Sequence, residues 1–446
     1  MKTDILKIGL LTPYNGANLG DGAIQYAMIN NIKKRHPDAY IHALTLDPET
    51  TSRLHDITCS PLTVLPLLNY CAPTQSEAKK VSADQNERNR FLKCTKDAIK
   101  ATPFAYPLLK SLLERVRRGT MKTTYLMAEF RLLWKGYYML KDFDMLIVSG
   151  GGQLDDYWGG CWGHPFSLFK WGLIARMART RYVFLSVGTC TFESRISAVF
   201  LKWALKMASY RSYRDETSKM LLRQFAFTQD DPVYPDMAFS LDIPTELWIS
   251  SKRKDKPVIG ISPIAYFSSY YWPKKDLNVY DSYITALKLF TITLLRQGYS
   301  VKLFYTSGTD KFVAKELFES LQKGNHIKET DNMEVVMIKT VKDLIAMLGD
   351  VDIVVASRLH GVILSHLLNR PVLAISYDRK VTTYMEDVGQ SEFCLDIHHS
   401  DPQLLTKTFD VLSLKQESVR NQIAEKMAEF KQSLSIQFDE ILNCNG

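Results

Sequence analysis

Short apolar runs alternate with helix-period stretches along this chain, twice over with one interruption, and that pattern limits its fold more than any single motif. The first series opens with "ILKIGLL", passes through "DGAIQYAMINNIKKRH" and reaches "YIHALTLD". Apolar runs of a few residues bounded by turn residues read as buried strands, and the longer stretches as helices. Helical, interrupted periodicity fills residues 60–140. The alternation then resumes with "DMLIVSGGG", "HPFSLFKWGLIARMAR", "RYVFLSVGT", a helix over 196–207 and "YRSYRD". A polar stretch bounded by prolines, "DIPTELWISSKRKDKP", breaks the series. Beyond it come "PVIGISPI", a helix over 279–296, "SVKLFYTSG", "KFVAKELFESLQ", "EVVMIK", "VKDLIAML", "VDIVVAS", a further helix and "PVLAISYD".

Buried strands joined by helices imply parallel sheets covered on both faces. The expected fold class is α/β, with two doubly wound Rossmann-like domains facing across a cleft. Residues 1–245 form the first and 256–446 the second; residues 60–140 are a helical insertion in the first, and a helix over 416–442 can pack back. A length of 446 residues agrees, being more than one core usually serves. Ligands of such sheets bind beyond the carboxyl ends of the strands, so the cleft between the domains is the expected site.

Composition excludes several classes. No apolar run approaches the roughly 18 residues of a membrane span, and the N-terminal run is too short for a secretory signal. Seven cysteines lie scattered with no C-x-x-C pair, which argues for a reducing, cytoplasmic setting and against both a disulfide framework and a zinc site; no H-x-x-x-H or paired acidic box suggests another metal. No recognised nucleic-acid module is present. The net charge of +8 is matched by residues 93–141 alone, where eleven Lys or Arg face three acids. That segment suits peripheral contact with an anionic membrane, an anionic substrate, or plain solvation.

The candidate chemistry begins at "SRLHG", residues 357–361, where a strand gives way to a helix. Ser357 is expected as the N-cap, with Arg358, Leu359 and His360 in the first turn. Free backbone N–H groups and the helix dipole favour an anion there. Arg358 adds a planar fork for a carboxylate or phosphate, His360 a group that gives or takes a proton near neutral pH, and Gly361 room for close approach. The bland alternative is that Arg358 merely pairs with an acid. In "NGANLGDGAIQ", Asn18, Gly20 and Asp21 follow the first strand, and Asp21 reads equally as a capping acid or as a base for a sugar hydroxyl. Gly151 and Gly152 in "SGGGQLDD" allow a ligand close, without the pattern of a nucleotide-binding loop. Asp155 and Asp156 read as caps of the next element ahead of a place facing the cleft. Arg214 ends a strand ahead of a helix and offers either a second anion clamp or a partner for Asp215. His366 and the pair His398 and His399 read as structural, and the run "YWGGCWGHPF" as packing.

With those pieces in place, the chain resembles the polysaccharide pyruvyl transferase family. The likeness rests on "NLGDGAIQYAMI", "DMLIVSGGGQL", "RSYRD", "YPDMAFSL" and above all "VVASRLHGVILSHLLNRPVLAISYD", in family order along nearly the whole chain. The resemblance implies a fold similar to GT-B glycosyltransferases. It also implies transfer of pyruvate from phosphoenolpyruvate to a sugar of a cell-surface glycan or its lipid-linked precursor, as a ketal and without a cofactor. By the same resemblance Arg358 and His360 serve donor binding and acid–base work, with Arg214 and Asp21 assisting. Two rival readings stand beside it: a glycosyltransferase using a nucleotide sugar, and a non-catalytic glycan-binding protein on the same fold.

Overall fold

The computed structural model describes residues 5–64, 125–156, 159–189, 194–225, 227–244, 257–268, 272, 275–323 and 332–443. Its strands form two six-stranded sheets, and every named ladder is parallel. The first holds β1 (Lys7–Leu11), β2 (Tyr40–Thr45), β3 (Thr58–Pro61), β4 (Met145–Leu154), β5 (Arg181–Thr189) and β6 (Tyr210–Tyr213), in the order β3-β2-β1-β4-β5-β6. The second holds β7 (Val258–Ser262), β8 (Ser300–Leu303), β9 (Met333–Val335), β10 (Ile353–Ala356), β11 (Val372–Ser376) and β12 (Cys394–Asp396), in the order β12-β11-β10-β7-β8-β9. Counted from its own first strand, each sheet has the same doubly wound order. The order reverses between β1 and β4 in one and between β7 and β10 in the other. Those reversals are where such sheets open a crevice.

In the first domain α1 (Leu19–Arg35) follows β1, and α2 (Pro48–His55) follows β2. Then come a helix over 125–141 (α3), α4 (His164–Ala178), α5 (Arg195–Met207) and α6 (Glu216–Arg223). The second has α7 (Leu277–Arg296), α8 (Asp310–Lys323), α9 (Val341–Gly349), α10 (Leu359–Leu367), α11 (Arg379–Asp387), α12 (Pro402–Leu414) and α13 (Gln416–Asn443). Alternation along β1 and β4 splits the first sheet's side chains. Ile8, Leu10, Met145 and Ile147 pack under α1 in a core that runs on into the second domain. Leu11, Leu146, Val148 and Phe184 form a separate core beneath α4 and α5, with Leu168, Trp171 and Leu201.

The domains meet along a seam closed by backbone hydrogen bonds. Leu19 N–H donates to Thr306 O at 2.9 Å, and Gly308 N–H to Ala17 O at 3.0 Å. The last helix, α13, reaches across to the first domain, where Arg35 Nε meets Asp439 Oδ1 at 2.7 Å and Gln437 Nε2 donates to Ser212 Oγ. The two strands β3 and β12 had no expectation behind them, since TCSP and CLD are not apolar runs. β4 runs on through its three glycines to Leu154, and Gly150 and Gly151 take positive φ of 28° and 74°. Residues 65–124, most of the expected insertion, and 245–256, the expected break between domains, lie outside the described residues.

Candidate active site

α1 starts where Asn18, the N-cap, accepts from Gly20 N–H at 3.0 Å and donates its own amide to Asp21 Oδ2 at 2.9 Å. Asp21 thus sits in the first turn, where a carboxylate complements the helix dipole. α10 starts opposite. Gly20 is what lets the two helix ends meet: a Cβ on it would lie 2.2 Å from Nδ1 of His360. The imidazole of the second domain therefore rests on the first turn of the first domain's helix.

The other imidazole nitrogen faces a carboxylate. His360 Nε2 lies 3.6 Å from Asp236 Oδ2, and neither atom has a hydrogen bond, though both are buried. Asp236 is the N-cap of a 3₁₀ turn over Met237–Ser240 and accepts from Ala238 N–H through Oδ1 at 3.0 Å. Burial pushes its pKa up, but His360, Arg214 and the Ala238 N–H outweigh that and hold it down at about 2. Arg214 Nη1 stands 3.6 Å from the same Asp236 oxygen, and its Nε 3.3 Å from Asp215 Oδ2. Its guanidinium lies flat on Gly188, where a Cβ would come within 2.7 Å. Asp21 is displaced the other way. Burial and the Asp236 charge raise its pKa against the lowering effect of His360, Lys380 and the Asn18 hydrogen bond. Two carboxylates in one cluster thus have pKa values pushed apart, the arrangement expected of an acid–base site.

The structure brings Asn18, Gly20, Asp21, Arg214, Leu359 and His360 together at the seam. Gly151 joins them, its Cα hydrogens facing Ile24 and the Asp21 carboxylate. Three expectations need correction. Ser357 does not cap α10: the N-cap is Arg358, and the Ser357 hydroxyl is held by Tyr283 at 2.8 Å in a fully buried position. Its backbone N–H pairs with Ser262 O, so Ser357 stays tied to the neighbouring strand and the helix starts one residue later than expected. Gly361 gives a ligand no room, because it is buried, facing Ala356 and Thr306 at ordinary contact distance. Asp156 does not cap the following helix; its carboxylate accepts from Ser194 N–H at 2.9 Å and so steadies α5 from a distance.

Arg358 follows its bland alternative in part. Nε and Nη2 donate to the two oxygens of Asp310 at 2.7 and 2.9 Å, and Asp310 also accepts from Ala265 N–H at 3.0 Å. Asp310 has no exposed surface, whereas the Arg358 side chain keeps 21%. The pair fixes the turn below His360. Gly152 is exposed beside Asp155, outside the cluster. His366 is buried against the Tyr384 hydroxyl at 2.8 Å, and His398 packs on Tyr266, both structural as expected.

Asp236, Asp310 and Lys380 had not been singled out. Asp236 stands in the "YPDMAFSL" segment, and Asp310 opens a helix, so each reads locally as a cap. Only the fold brings them to partners far along the chain. Beside the cluster, Arg214, Asp236, Leu359, Lys380 and Tyr384 line a small cavity of about 40 Å³. It opens on a trough of about 780 Å³ between α6, α11 and α13, which shares Asp215, Thr383, Asp387 and Phe430 with it.

Comparison with known proteins adds the rest. The chain is 23% identical over 305 residues to the amylovoran biosynthesis protein AmsJ of Erwinia amylovora, covering 65% of this chain and 70% of that one. Among solved structures it resembles Anabaena HepE in complex with UDP and glucose, with a TM-score of 0.53 and 13% identity over 98% of each chain. It resembles equally the UDP-GlcNAc 2-epimerase of Neisseria meningitidis, with a TM-score of 0.54 and 12% identity over 99% of this chain and 100% of that one. At such identities these likenesses establish the two-domain, GT-B-like fold alone. The model of one family, polysaccharide pyruvyl transferase, matches residues 18–379, from the Asn18 cap through the His360 turn to the start of α11. The chain belongs to the polysaccharide pyruvyl transferase family.

Proposed function

We propose that the protein transfers the pyruvyl group of phosphoenolpyruvate to two hydroxyls of one sugar, in a cell-surface polysaccharide or its lipid-linked precursor. The products are a cyclic ketal and inorganic phosphate. The observation that carries this reading is the seam pair: His360 Nε2 and Asp236 Oδ2, both buried, face each other at 3.6 Å, with Arg214 Nη1 at 3.6 Å from the same oxygen. A buried imidazole held against a carboxylate kept ionised is an arrangement suited to proton transfer.

In this mechanism His360 Nε2–H protonates the methylene carbon of the enol, making C2 electrophilic. The oxygen of one sugar hydroxyl bonds to C2 and its proton passes to Asp21, whose raised pKa suits a base. The C2–O bond to phosphate breaks, the second hydroxyl oxygen bonds to C2, and its proton leaves with the phosphate. Return of the proton from Asp21 to His360 restores both groups. Asp236 remains ionised and faces the imidazolium. Arg214, Lys380 and the first-turn amides of α10 hold the donor's phosphate and carboxylate. Arg358, committed to Asp310, acts by fixing that turn. The trough takes the acceptor: Asp215, Thr383 and Asp387 offer hydrogen bonds to sugar hydroxyls, and Phe430 a ring face.

Thermal unfolding tests the donor. Phosphoenolpyruvate at a hundred times its Kd should add about 2.7 kcal/mol, a rise of several degrees, and UDP should add nothing. Protection by UDP with none by phosphoenolpyruvate would favour glycosyl transfer instead.

A further inference from the structure

The side of the first domain turned away from the seam carries an unusual surface. α3, α4 and α5 lie next to one another there. Gly136 of α3 sits against Trp171 of α4, and Phe169 of α4 stacks on Phe200 of α5 with ring centroids 5.4 Å apart. Their inner faces build the second core, and their outer faces stay apolar. Phe130, Trp134 and Tyr138 form a ladder up α3, and Met177 on α4 and Val199 and Trp203 on α5 are exposed as well, each of the six between 52% and 65%. Trp162, likewise exposed, edges onto Phe200 beside them. Exposed aromatic and aliphatic side chains gathered on three neighbouring helices mark an interaction surface.

Charge identifies what it meets. Across these three helices the sequence has a single acid, Glu129, and that one is buried in an ion pair with buried Lys170. Lys135 and Lys141 on α3, Arg176 and Arg179 at the end of α4, and Lys202 and Lys206 on α5 are exposed or half-buried on the same three helices. Lys141 and Lys206 lie over the rings of Tyr137 and Trp203. Exposed aromatic and aliphatic side chains beside cations that have no acidic partner among the described residues match the interface of an anionic bilayer, where rings sit at headgroup depth and Lys or Arg reach the phosphates. A second copy of the same face would set like charges together, and a nucleic acid gains nothing from exposed methionine and valine. No described helix is long and apolar enough to cross a membrane, so the contact is a surface one.

We propose that the outer face of α3, α4 and α5 docks the protein on an anionic lipid surface, with Trp134 and Trp203 inserted among the headgroups. This does not depend on the reaction assigned above. The full chain should float with vesicles of phosphatidylcholine mixed with phosphatidylglycerol and not with phosphatidylcholine alone. Floating should weaken with salt, and tryptophan emission should shift to the blue on binding. Trp134→Ser with Trp203→Ser, and separately Lys202→Glu with Lys206→Glu, should each lower vesicle partitioning at least about tenfold. Both double variants should keep the wild-type melting temperature. Failure of the wild type to float with anionic vesicles overturns the proposal, as does wild-type partitioning by the tryptophan variant. Burial of these tryptophans in lipid-free protein, under a dimer or another part of the chain, or tighter binding to RNA than to vesicles at equal salt, overturns it too.

Discussion

Asp236 is the residue on which the cluster turns, since it faces both His360 and Arg214 while having almost no exposed surface. Its pKa falls from 3.8 to about 2, so its pairing stabilises the fold above about pH 4 and is lost as pH falls through 2. That lowering corresponds to about 2.5 kcal/mol. Asp236→Asn should therefore unfold at lower urea near pH 7, and the gap to wild type should close below pH 4; a gap that persists at pH 2 would show that packing, not charge, was lost. Little of this was legible in advance. His360 stands out because a titratable base follows a strand end, whereas Asp236 reads as one more capping acid until the fold sets it against a partner more than a hundred positions later. Arg358 stood out too, for a role that Asp310 largely takes up.

At the level of elements, the site is the meeting of two helix N-termini, α1 and α10, each rising from the crevice where its sheet reverses order. Strand and helix alternation was enough to foresee both helices and both sheets. It could not foresee the contact between them, which depends on Gly20 having no side chain. Alanine there would improve helix propensity by up to about 1 kcal/mol, but its Cβ would overlap the His360 ring, including the Cβ of that residue. Gly20→Ala should fold normally, judged by circular dichroism and melting, while turnover drops about a hundredfold, the scale of a misplacement near 1 Å. Unchanged turnover would mean the two helix ends need not touch. The boundary of α10 was missed by one residue because Tyr283, from another helix, claims the hydroxyl that would have capped it.

For the whole molecule, the cluster lies where the two domains meet, and the small cavity of about 40 Å³ beside it opens on the larger trough. Admission of a three-carbon phosphorylated acid to His360 is expected to part the domains. The seam that must open holds the Leu19 and Gly308 amides, bonded to Thr306 and Ala17 in the opposite domain. These two should exchange hydrogen faster than amides in β1 or β10, and phosphoenolpyruvate should slow them; exchange as slow as in the strands would rule out such opening. The two-domain plan was plain from the repeated alternation, but the closed seam was not, since backbone pairing across domains leaves no mark on side-chain pattern. The most direct test of the central claim, acid–base pyruvyl transfer at His360, is mass spectrometry of glycan acceptors incubated with phosphoenolpyruvate. Wild type should add the mass of pyruvic acid less one water and release phosphate, and His360→Gln should do so about 10²–10⁴ times more slowly. An equal rate in the two proteins, or no such product with any acceptor while UDP-sugars yield one, would contradict it.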